Sequence, residues 1–141
     1  MWRIFKTAHM KVNEFREGRW RQSDEQFVAD CGLPPDSAAA LVALAVRRTV
    51  ASIGLIDPQY IRAIDVYPDQ LGVLPLWDSM DWLAFVMELE RELGTRITYE
   101  ETAQLFDPHR VSVKEMVAAV AHLVLSRGKA EPSDAAEGGC D

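Results

Sequence analysis

One serine in this chain lies between acidic residues just before an apolar-rich stretch. Asp78, Ser79 and Asp81 precede a segment that continues to Leu93. A serine hydroxyl attacks a substrate only when a base and an orienting partner activate it. The three histidines are scattered along the chain, at positions 9, 109 and 122. From the local sequence alone, such a serine is most often a helix N-cap, because its oxygen accepts from a free backbone N–H. We therefore predict no catalytic residue.

Metal and membrane sites are equally unsupported by the sequence. The two cysteines, Cys31 and Cys140, form no CxxC pair, and no histidine pair has ligand spacing. No run approaches the roughly 18 apolar residues of a membrane span. The first residues also lack the apolar run of a signal peptide. These observations predict a cytoplasmic protein of one domain, with no metal and no stable membrane insertion.

The charge of the chain is distributed unevenly. The net charge is −7, yet residues 1–22 hold six basic and two acidic residues, so this segment is +4 and the remainder −11. An acidic body repels nucleic acid and favours basic protein partners. The basic segment could contact RNA, a lipid headgroup, a protein partner or the acidic body, or it could be a solvated arm.

Start and stop signals divide the first half of the chain. The Ser23 capping box and Gly32 predict a short helix over about 24–31. Leu33-Pro34-Pro35 then breaks the chain. Asp36 or Ser37 is predicted to cap a helix that runs to about Ile53 and ends at Gly54. Asp57-Pro58 predicts one further turn of helix.

Start and stop signals also divide the second half of the chain. Residues 65–77 are predicted as a loop, and a helix then runs from Asp78-Ser79 to Leu93, before Gly94. Capping boxes at Thr98 and Ser112 predict a brief helix to about Phe106 and a longer one to about Ser126. Sustained period-two alternation is absent, so we predict an all-α protein without a sheet.

These elements suggest three regions. Residues 1–36 form a basic N-terminal extension with a short helix, in which Trp20 and Phe27 could anchor on the bundle. Residues 37–126 form a helical bundle. Residues 127–141 lack large apolar side chains and are predicted to be disordered.

The residues around Ser79 resemble a known family. Asp78-Ser79-Met80-Asp81, followed by Leu83-Ala84-Phe85-Val86-Met87-Glu88-Leu89-Glu90, is similar to the Asp-Ser-Leu-Asp motif and following helix of acyl carrier proteins. Tyr67 to Gly72 is similar to the loop that precedes this motif. Ile97 to Glu101 and Ser112-Val113 match the starts of the third and fourth family helices. The resemblance covers about residues 37–126.

The resemblance implies a fold and a function. The fold would be a four-helix bundle, three helices long and one short, with a long loop between the first two long helices. The chain would be a monomeric carrier and not an enzyme. A phosphopantetheinyl transferase would attach 4′-phosphopantetheine from coenzyme A to Ser79, with Asp78 and Met80 beside it. The arm would carry thioester intermediates of fatty-acid, polyketide or related biosynthesis.

The resemblance also implies a docking surface for acyl-transferring or ketosynthase-type enzymes. Its expected residues are Asp81, Glu88 and Glu90, with Trp77 and Trp82 beside them. An ordinary solvated helix face would have the same acidic pattern. The two tryptophans could cover the base of the arm, contact a partner or close the bundle.

Departures from the family pattern keep two alternatives open. The loop before Asp78 is about three residues longer than usual and contains Pro75, Ala84 replaces a common glutamate, and Thr98 replaces a proline. An unmodified carrier-like module could instead bind proteins through its acidic helix. In the other alternative, the chain is a helical regulatory protein and Ser79 only caps a helix.

Overall fold

The computed structural model describes residues 7–77, 82–104 and 107–140, and within them the fold is mostly helical. The helices are α1 (Ala8–Arg16), α2 (Asp24–Asp30), α3 (Ala38–Gly54), α4 (Trp82–Leu93), α5 (Tyr99–Ala103) and α6 (Val113–Cys140). Short 3-10 turns span Pro58–Tyr60 and Leu71–Val73. Helix α3 lies against both α4 and α6. Within the described ranges, no helix is long and apolar enough to cross a membrane.

Most helix starts lie where the capping residues predicted them. The Ser23 and Ser37 hydroxyls accept from the backbone N–H groups of Gln26 at 3.1 Å and Ala40 at 3.0 Å. Ser112 and Glu115 cap each other's backbone N–H reciprocally, at 3.0 and 2.8 Å. Each cap satisfies donors that the first helical turn leaves unpaired. The mainly helical character predicted from the sequence is therefore confirmed.

Gly54 does not end helix α3 in the way its residue type suggested. It is the last helical residue, and the left-handed cap is Leu55, with φ at 57°. Gly54 instead lies against the buried Leu74 side chain, where an added Cβ would come within 2.7 Å of Leu74 Cδ1 and 3.2 Å of its Cβ. The small size of Gly54 allows the loop after α3 to pack closely on the helix.

Gly54→Ala should therefore lower the free energy of unfolding by about 1 kcal/mol. Overpacking outweighs the helix propensity that alanine adds. Urea unfolding measures the change. The matched control is Ser52→Ala at an exposed position of α3, where the same propensity acts without a clash. A Gly54→Ala variant as stable as Ser52→Ala would contradict the packing argument.

The prediction of no sheet was wrong in detail. Val66–Tyr67 (β1) pairs antiparallel with Val111–Ser112 (β2). Two residues are too few to produce a visible alternation, so the sequence pattern could not reveal them. Two bonds of 2.9 Å continue this contact, from Val113 N to the Asp65 carbonyl and from Lys114 N to the Ala63 carbonyl. The loop after α3 is thus tied to the start of α6.

The last helix is longer than the sequence indicated. It continues to Cys140, whereas the sequence predicted an end near Ser126. Gly128, Pro132, Gly138 and Gly139 disfavour a helix, so residue types alone do not indicate this extension. The disorder predicted for residues 127–141 stays a prediction.

The N-terminal region contributes directly to the core. Phe15 of α1, a helix that the sequence did not predict, and Phe27 and Val28 of α2 join the same hydrophobic cluster as the helices that follow. The anchor predicted at Phe27 is confirmed, because its side chain is fully buried, but Trp20 is 82% exposed. The described part of residues 1–36 therefore packs with the bundle.

Residues Arg19–Gln22, which we call the N-terminal strap, bind the loop after α3. Arg19 forms a bidentate ion pair with Asp65 at 2.9 and 2.7 Å. Arg21 bonds to Asp57 at 2.8 Å, and Gln22 N donates to the Gln59 carbonyl at 2.9 Å. Charged and backbone bonds along its whole length thus fix the strap against the loop.

Arg47 connects the strap, α2 and α3 from inside the core. Its guanidinium bonds to the carbonyls of Gln22, Gln59 and Ile61 at 3.0–3.2 Å and to Asp24 at 2.9 Å. It also stacks on the Phe27 ring. Burial lowers the pKa of Arg47, and Asp24 opposes that shift. A fully buried cation is tolerated here because oxygens surround it.

Candidate functional site

The motif that the sequence singled out lies between two described segments. Asp78, Ser79, Met80 and Asp81 fall outside the described residues, so their roles stay predictions. Trp77 is the last described residue before them, and Trp82 begins α4 directly after them. Trp77 and Trp82 are therefore the described residues that adjoin the motif in sequence.

The flanking tryptophans belong to an aromatic cluster. Tyr67, Trp77, Trp82 and Phe85 pack with ring centroids 5.3–6.2 Å apart, mostly edge to face. Trp77 is fully buried and donates from Nε1 to the Val50 carbonyl at 3.0 Å. Among the roles considered for Trp77, closing the bundle is the one this geometry favours, since a buried ring offers no surface to a partner.

Trp82 has a different environment. It is half-buried, and its Nε1 donates to the Pro108 carbonyl at 3.2 Å. This bond joins the start of α4 to the turn before β2. Part of the ring remains accessible, so the predicted role of Trp82 in partner binding stays a prediction.

Helix α4 presents apolar side chains outward as well as inward. Phe85, Val86 and Leu89 are buried, but Leu83 is 52% and Met87 61% exposed. Leu83 and Met87 therefore lie outside the core. They lie off the Phe85–Leu89 stripe, which a helical projection of the sequence could have revealed.

Leu83 and Met87 line a groove of about 520 Å³ between α4 and the start of α5. We call it the α4–α5 groove; its other lining residues are Val86, Glu90, Arg96, Ile97, Thr98 and Glu100. Its first lining residue, Leu83, directly follows Trp82, so the groove is close in sequence to residues 78–81. It combines apolar side chains with charges of both signs.

The acidic residues of α4 are engaged within the chain. Glu88 pairs with Arg91, and Glu92 bonds to Arg48 Nε at 2.8 Å. Glu90 accepts from the backbone N–H of Ile97 at 2.7 Å and so holds the turn before α5. Glu90 thus has a structural role that the sequence did not indicate, and docking through Glu88 and Glu90 stays a prediction.

The far side of the groove is fixed by a cap and a cation. Thr98 and Glu101 form the reciprocal capping box predicted at the start of α5. Arg127 of α6 bonds to Glu101 and to the Arg96 carbonyl. The hydrogen bond from Arg127, with that from the Thr98 N–H, lowers the pKa of the Glu101 carboxyl. Helix α6 therefore holds α5 in place beside α4.

The described residues contain no group of three or more His, Cys, Asp or Glu side chains that could hold a metal ion. Comparisons with protein-family models, curated proteins and solved structures gave no match to this chain.

Proposed function

We propose that this chain is an acyl or peptidyl carrier of the acyl carrier protein type, with 4′-phosphopantetheine attached to Ser79. The observation that carries the proposal is the order of elements around the motif. Asp78-Ser79-Met80-Asp81 stands between a long loop and the amphipathic helix α4, which is followed by the short capped helix α5 and the long helix α6. This order matches the four-helix arrangement that the family resemblance implies for residues 37–126.

The described surroundings of the motif are compatible with a long flexible arm. Leu83 and Met87, in the first turns of α4, offer exposed apolar surface, and the α4–α5 groove runs beside them. An acyl chain is apolar and would be stabilised against such side chains. When attached, the arm supplies the thiol that carries the acyl group, so the chain needs no nucleophile of its own. Its residues present the serine and orient the partner enzyme.

The position of Ser79 ahead of α4 also suits a phosphodiester. The first turn of a helix has unpaired N–H groups and a positive dipole end, which favour an anion. Asp78 and Asp81 add negative charge, which would steer a basic partner surface towards the serine. The partners under this proposal are a phosphopantetheinyl transferase and acyl-transferring or ketosynthase-type enzymes.

Intact mass tests the proposal directly. We expect purified wild type, incubated with coenzyme A and a broad-specificity phosphopantetheinyl transferase, to gain the mass of one phosphopantetheine. Ser79→Ala should gain none, and Ser52→Ala, at an exposed serine of α3, should behave as wild type. Wild type that gains no mass with several transferases would sink the carrier function and favour the unmodified interaction module.

A further inference from the structure

The N-terminal half displays an exposed indole on a firmly held backbone. Trp20 is 82% exposed, yet its carbonyl accepts from Arg62 and its neighbours Arg19 and Arg21 pair with Asp65 and Asp57. Tryptophan is enriched at the centres of protein interfaces. A side chain on an ordered backbone loses little conformational entropy on binding. Trp20 is therefore well placed as an interface anchor.

The charges around Trp20 are mixed, but the arginines Arg16, Arg19, Arg21 and Arg62 outnumber the carboxylates Glu17, Asp57 and Asp65. Arg16 donates to the Tyr60 hydroxyl and Arg62 to the Trp20 carbonyl, and neither acceptor carries a charge. Arg21 pairs with Asp57, but its side chain is 58% exposed. A surface that receives the indole of Trp20 should therefore carry carboxylates around an apolar centre.

A surface of that kind lies between α2 and the start of α3 on the same chain. Val28, Leu41 and Leu44 form its apolar floor, and Asp24, Glu25 and Asp36 form its rim. We call it the Leu41 groove; its volume is about 130 Å³, and no basic residue lines it. Leu41 is 69% exposed, so the apolar floor of the groove is accessible from solvent.

We propose that the two surfaces bind each other between two copies of this chain: Trp20 of each copy enters the Leu41 groove of the other. Only four positions separate Trp20 from Asp24 on the groove rim, so one patch contains both halves, as a closed two-fold interface requires. The basic residues around Trp20 then face the acidic rim of the other copy.

Analytical ultracentrifugation of the full chain from about 1 μM to about 1 mM tests the proposal. We expect a concentration-dependent dimer that added salt weakens. Trp20→Ala and Leu41→Ser should each weaken dimerisation at least about thirtyfold, because each variant removes both reciprocal contacts. Both positions are exposed, and circular dichroism checks that the variants fold. Met87→Ser, at an exposed apolar position outside the patch, is the matched control and should dimerise as wild type.

A mixture of the two variants provides the sharper readout. A pair formed by Trp20→Ala and Leu41→Ser retains one intact indole and one intact groove facing each other. The mixture should therefore associate more strongly than either variant alone. Monomeric wild type throughout the range, or a mixture no stronger than its components, would overturn the proposal. Ser79→Ala should still dimerise, so this test is independent of the carrier function.

Discussion

Asp65→Asn should lower the free energy of unfolding by about 3 kcal/mol. The Asp65 carboxylate is 3% exposed and receives two bonds from the Arg19 guanidinium and one of 2.7 Å from the Arg62 backbone N–H. Asparagine has nearly the same shape but carries no charge. Its NH₂ group is itself a donor and cannot accept from the N–H groups of Arg19 or Arg62. Arg19, only 18% exposed, is then left as a cation with neutral acceptors alone, the Tyr60 carbonyl and the new amide oxygen.

The chain contains a matched control for Asp65. Asp69 also forms a bidentate pair with an arginine, Arg110, at 3.0 and 2.9 Å, but these two side chains are 46% and 62% exposed. Asp69→Asn should cost less than about 1 kcal/mol, because water solvates both groups. Chemical denaturation of the two variants measures the difference. Equal losses would show that burial does not set the strength of the Arg19–Asp65 pair.

Arg47→Met should destabilise the fold by a similar amount, about 3 kcal/mol. Methionine keeps the apolar stem of the side chain but lacks the guanidinium, so the carbonyls of Gln22, Gln59 and Ile61 lose the donor that Arg47 provides. A buried acceptor without a partner costs about 1–3 kcal/mol. An apolar replacement of a buried ion can be neutral when all its polar partners are also replaced, but here the carbonyls belong to the backbone and remain.

The neighbouring Arg48 provides the comparison. It occupies the same helix and pairs with Glu92, but its side chain is 46% exposed. Arg48→Met should cost less than about 1 kcal/mol. Thermal or urea unfolding would contradict the assignment if Arg47→Met were as mild as Arg48→Met.

The local features of the fold were predictable from the sequence. Capping at Ser23, Ser37, Thr98 and Ser112 depends on residues within one helical turn, so the pattern identifies the helix starts. Gly32 and Gly94 stop their helices at positive φ, 77° and 69°, as their residue type indicates. These features require no knowledge of distant contacts.

Long-range contacts were not predictable in the same way. Arg19 and Asp65 are 46 positions apart, and Arg47 contacts carbonyls whose positions leave no signal in the sequence. The basic N-terminal segment therefore looked like a solvated arm as much as a structural element. Two of its arginines, Arg19 and Arg21, pair within the molecule with carboxylates of the loop after α3.

In the candidate site too, local features were predictable from the sequence and long-range contacts were not. The sequence located the motif at residues 78–81 and the helices on either side of it. It did not reveal that Glu90 accepts the Ile97 N–H. That contact depends on how the turn after α4 folds back, and Arg127 on a third helix holds this turn through the Arg96 carbonyl.

The aromatic cluster allows events at residues 78–81 to be followed by tryptophan fluorescence. Trp77 and Trp82 bracket this segment, one fully buried and the other half-buried. With Trp2 and Trp20 replaced by phenylalanine, all indole fluorescence comes from these two rings. Their emission wavelength and quenching by iodide then follow any event at the intervening residues in real time, without a dye attached to the protein.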